Sequence, residues 1–63
     1  MTKEQITGIA KTLNSAGFSI HNYDAEKAKM ILSDANVSQQ TISLFDENAF
    51  DVFMELMRIQ VKL

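Results

Sequence analysis

The residues able to do chemistry are few. The chain of 63 residues has one histidine, His21, and no cysteine. His21 stands between Ser19 and Asp24, a set that contains a nucleophile, a base and an orienting acid. A catalytic triad, however, brings its members from separate elements onto a substrate pocket, which three residues of one short loop seldom achieve. A surface histidine beside capping residues is the simpler reading. His21 and Asp24 offer two ligands to a metal, with no third or fourth evident, and a zinc site built on cysteines is excluded. Asp46, Glu47 and Asp51 form an acidic group without the spacing or central glycine of a calcium loop. They fit helix capping and a solvated face. Glycine occurs only at Gly8 and Gly17, so a glycine-rich phosphate loop is absent. The expectation is a non-enzymatic protein with no metal and no cofactor, acting by binding.

Composition narrows what is bound. A net charge of −2 argues against non-specific coating of nucleic acid and against an anionic membrane surface, because both need lysine and arginine. No apolar run approaches the roughly 20 residues that span a bilayer. The polar start Met1-Thr2-Lys3-Glu4-Gln5 does not read as a signal peptide. A soluble, cytoplasmic protein is expected. With 46% hydrophobic and 22% charged residues the chain has the balance of a globular domain. One domain, 1–63, of this size buries only about 60% of its unfolded surface. Disulfides are excluded as extra support, which leaves association with another subunit.

The elements that position these residues are all helical. The sequence predicts an all-α bundle of four helices, at about 3–16, 24–35, 38–46 and 48–62. Thr2 with Gln5 three positions on forms a capping-box pattern. Ile6, Ile9, Leu13 and Ala16 then recur on one face, and Gly17 supplies the left-handed stop. Phe18 to Tyr23 is a connection with two apolar anchors, Phe18 and Ile20. Asp24 caps the second helix, with Tyr23 available as a staple against Ala28. Its inner face is Ala25, Ala28, Ile31, Leu32 and Ala35. Asn36 ends it, asparagine being next after glycine for positive φ. Ser38 caps the third helix, which carries Ile42 and Phe45, and Asn48 or Asp46 caps the fourth.

The fourth helix carries more apolar surface than one small core needs. Phe50, Phe53, Met54, Met57 and Val61 form one stripe, and Val52, Leu56, Ile59 and Leu63 extend it around the side. The charges Asp51, Glu55, Arg58 and Lys62 fall on a single narrow line, acids first and bases last, as the helix dipole prefers. A helix polar along one line is buried on most sides. Either it is the central core helix, or part of it, the set Val52, Leu56, Ile59 and Leu63, forms a homodimer or partner interface.

One segment carries a resemblance. Ala35-Asn36-Val37-Ser38-Gln39-Gln40-Thr41-Ile42-Ser43 resembles the turn and recognition-helix start of helix-turn-helix regulators of the Lac-repressor and Cro type, within a match that spans residues 31–45. Asn36 stands at the turn, Val37 plugs the corner and Ser38 caps the second helix. Leu32 departs from the small residue usual at its position. The resemblance implies that Ser38, Gln39, Gln40, Thr41 and Ser43 face the major groove of duplex DNA. No lysine or arginine lies between Asn36 and Asp46, so phosphate contacts fall to Lys27 and Lys29. A second segment, residues 44–59 with Leu44-Phe45-Asp46-Glu47-Asn48-Ala49-Phe50-Asp51, resembles the middle helices of SAM interaction domains, which associate with other proteins. The expectations are therefore a DNA-binding regulator, as a homodimer, or a protein–protein interaction module, inhibitor or adaptor, on the same helical fold.

Overall fold

The computed structural model describes residues 2–21 and 24–61. They form four helices, α1 (Thr2–Ser15), α2 (Ala25–Asp34), α3 (Gln39–Glu47) and α4 (Ala49–Val61), with no strand among the described residues. The all-α, four-helix expectation holds, with boundaries within a residue or two of those read from the sequence. Thr2 is the first residue of α1 rather than its cap. The staple read for Tyr23 lies outside the described residues.

Local chemistry accounts for the helix ends. α1 closes at Gly17 with φ +87°. The Phe18 N–H donates to the Leu13 carbonyl at 3.0 Å and the Gly17 N–H to that of Asn14 at 3.1 Å, the paired bonds of a Schellman stop. α2 closes in the same way at Asn36, φ 65°. There the Val37 N–H donates to Leu32 at 3.4 Å and the Asn36 N–H to Ser33 at 3.0 Å. In both turns the residue after the left-handed position is apolar and packs on or into the core, Phe18 in one and Val37 in the other. The Asp24 carboxylate accepts from the N–H groups of Glu26 and Lys27, and the Ser38 hydroxyl accepts from that of Thr41. Both caps read from the sequence are present.

Asn48 is the only residue between α3 and α4. Its carbonyl accepts the first bond of α4, from Val52 N–H at 3.0 Å. Its side chain turns the other way, the amide donating to the Leu44 carbonyl at 3.0 Å. Its side chain thus caps the end of α3, not the start of α4.

α1 and α4 share the most extensive contact, and α2 with α3 closes the bundle. The core is Ile9, Ala10 and Leu13 of α1, Phe18 and Ile20 of the connection, Ala28 and Leu32 of α2, Phe45 of α3, and Val52, Phe53 and Leu56 of α4. Phe53 joins its layers. Its ring stacks on Phe18 with centroids 6.0 Å apart and meets Phe45 edge-on at 5.9 Å, both favourable aromatic arrangements.

The connection is held by a side chain that the sequence reading passed over. The Gln60 amide accepts from Ile20 N–H at 2.9 Å and donates to the Phe18 carbonyl at 2.8 Å and the Asn14 side-chain oxygen at 3.0 Å. It satisfies the backbone donor of one residue of the connection and the backbone acceptor of another.

Candidate interaction surfaces

Two surfaces stand out: the start of α3, and the outward side of α4. The first is built by the turn at Asn36. Because α2 stops there and Ser38 opens α3, the residues that follow are presented at a helix N-terminus. Ser38, Gln39, Gln40 and Ser43 are exposed and Thr41 is half-buried. Their availability differs. The Ser38 hydroxyl accepts from Thr41 N–H at 3.2 Å and lies 3.0 Å from the Thr41 hydroxyl, so these two side chains serve the cap. Gln39, Gln40 and Ser43 remain as the polar face. Gln40 also lines a groove of about 360 Å³ between α1 and the α2–α3 corner, with Gln5, Gly8 and Thr12 on the opposite wall and Leu32 and Val37 among its apolar contacts.

The electrostatics of this face are weakly suited to phosphate. Lys29, expected to contact DNA, reaches Asp46 of α3 at 3.1 Å and Glu26 at 3.8 Å. The hydrogen bond and charge of Asp46, together with Glu26, hold the Lys29 ammonium above the ordinary lysine value. Its role in this fold is to tie α2 to α3, and its charge is balanced there. That leaves Lys27 of α2, which is exposed, while Asp46 and Glu47 present negative charge at the far end of α3.

The second surface corrects the sequence reading. Val52 and Leu56, offered as interface residues if α4 was not a central core helix, are fully buried in the chain's own core, and Ile59 is partly buried against it. Leu63 lies outside the described residues. The reason is geometric: α1 and the Phe18–Ile20 connection pack on that side of α4, so the side set became the inner face. Phe53 is buried with it. The other members of the first stripe face out, Phe50 at 75% exposure, Val61 at 71% and Met54 at 46%, with Met57 half-buried beside them. At 100° per residue these four side chains fall within an arc of about 60°. Met54, Met57, Arg58 and Val61 border a shallow apolar depression.

The two stripes of α4 flank the polar line Asp51, Glu55, Arg58 on opposite sides, so nothing within the helix distinguishes inner from outer. Glu55 gives a partial clue only in the fold, where its carboxylate accepts from the Thr7 hydroxyl of α1 at 3.3 Å. His21 and the acidic residues do not assemble into a site among the described residues. His21 is exposed, and its backbone N–H donates to the Ser19 hydroxyl at 3.2 Å. Asp24 caps α2, and no group of three or more histidine or acidic residues that could hold a metal occurs among the described residues. No helix among them is long and apolar enough to cross a membrane.

No protein family, curated protein or solved structure matches this chain.

Proposed function

We propose that the chain is a non-enzymatic helical association module that works by docking a partner helix on the outward stripe of α4. The observation that carries this reading is the stripe itself. Phe50, Met54 and Val61 are exposed along one side of a helix whose opposite side fills the core, with Met57 half-buried at the edge between that line and the core. Single exposed apolar residues are ordinary, but a continuous line of large ones marks an interaction surface. Full burial of a large apolar side chain contributes roughly 1.5–3 kcal/mol, and Phe50 and Val61 have the most surface left to cover. The two methionines suit an adaptable contact.

The test is capture from host lysate with the tagged chain, with and without nuclease. The wild type is compared with Phe50→Glu, an acidic change in the first turn of α4 that favours the helix. A protein retained by the wild type after nuclease and lost with Phe50→Glu supports the reading. A retained set identical for both chains, together with a solution mass that Phe50→Glu leaves unchanged, refutes it.

A second reading, the homodimeric DNA-binding regulator, is favoured by the turn at Asn36 with Gln39 and Gln40 exposed just after it. Glutamine can pair with adenine in the major groove. Binding to pooled duplex DNA at low and moderate salt tests it. This reading expects a complex at low salt that Gln40→Ala weakens, and absence of any complex at low salt ends it. The balanced charge of Lys29 places it second.

A further inference from the structure

We infer that the occupant of the α4 stripe is a second copy of this chain, packed antiparallel through α4. This rests on the association reading above and names its partner. The argument is one of spacing and charge. Phe50, Met54, Met57 and Val61 are separated by four, three and four residues, the alternation of d and a positions over two heptads of a coiled-coil seam. Reversing the helix about a two-fold axis maps this line onto itself. Phe50 then meets the second copy's Val61, and Met54 meets the second copy's Met57, so every large side chain has an apolar counterpart.

The edge of the seam selects the direction. Asp51 and Arg58 lie along the same flank of the stripe, one near each end. Both are exposed, and Arg58 otherwise reaches only to Glu55 of its own helix at 3.8 Å among the ion pairs described. In an antiparallel pair the same flank of each helix faces its copy, so Asp51 meets Arg58 twice by symmetry. A parallel pair sets this charged flank against the other flank, which carries Phe53 and Gln60. Those two are engaged with Phe18, Phe45, Asn14 and Ile20 inside the bundle. Only the antiparallel pair matches acid with base. It is isologous and closes at two copies, which is the commonest symmetry of soluble oligomers. Two heptads on a helix of 13 residues make a short seam, so the dimer is concentration-dependent.

Sedimentation equilibrium from about 1 μM to about 1 mM tests this. It compares the wild type with Asp51→Arg, Arg58→Asp and the double variant carrying both, with thermal melts to verify folding. The expected result is a wild-type mass that doubles with concentration. Each single reversal weakens the dimer by about tenfold, because it sets like charges together at both symmetric sites. The double variant returns to near the wild-type constant. A wild type that stays monomeric throughout overturns the inference. So do single reversals that leave the constant unchanged, or a double variant no stronger than the singles. The lysate comparison with Phe50→Glu reads out separately. A monomer that still captures a protein through the stripe removes the second copy and leaves the association reading in place.

Discussion

The two sides of α4 are alike in composition and opposite in fate. Val52, Phe53 and Leu56 are buried against α1, the connection and α3, while Phe50, Met54 and Val61 of the same 13-residue helix face outward. Hydrophobicity alone does not assign the roles. The inner side is the one that the rest of a small chain can reach. α1, α2 and α3 cover it, and among the described residues no element covers Phe50, Met54 and Val61. Under the association reading, that outward stripe is the surface proposed to meet a partner.

The contrast is sharpest when both sides are cut by mutation. Leu56→Ala removes a fully buried side chain and is expected to cost about 2–5 kcal/mol. A domain of this length has only about 3–9 kcal/mol to lose at typical stability per residue. Chemical denaturation should show its midpoint collapsing toward zero denaturant. A midpoint near that of the wild type would show that Leu56 is not the core residue its burial makes it.

A smaller effect is expected at the point where α4 holds the connection. Gln60→Ala leaves the Ile20 N–H and the Phe18 carbonyl without their partner and should cost about 1–3 kcal/mol. Faster amide exchange at Ile20 is the specific readout, and unchanged exchange there would mean that the Gln60 contacts do not hold the segment. This clamp also shows where the sequence reading stopped. Gly17, Asp24, Asn36 and Ser38 were legible because turns and caps are decided by a few adjacent residues. Gln60 binds residues 40 and more positions away, and nothing in its own neighbourhood announces them. The same holds for Lys29. Its pairing with Asp46 depends on how α2 meets α3, so a lysine read as a phosphate contact proved to be a tie between helices. Of the two alternatives left open for α4, the interface set failed at Val52 and Leu56 for a related reason. Both stripes of the helix flank one polar line, and only the position of α1 decides between them.

The smallest effect belongs to that Lys29 tie. Its folded-state pKa lies above the ordinary 10.5, chiefly through the hydrogen bond and charge of Asp46. A lysine raised in the folded state contributes its full stabilisation below the unfolded value and loses it as pH climbs through the folded one. Stability should therefore hold from neutral pH to about 10 and fall slightly more in the wild type than in Lys29→Met above that. Identical alkaline profiles for the two chains would remove the pairing from the account.

The central claim is that the outward stripe of α4 serves association and not folding. Phe50→Glu tests it most directly, with melting temperature and concentration-dependent mass measured on the same samples. The account predicts a melting temperature at low concentration that matches the wild-type monomer, together with a mass that no longer rises with concentration. A melting temperature lowered by tens of degrees, or a concentration-dependent wild-type mass curve that the variant overlays, would contradict it.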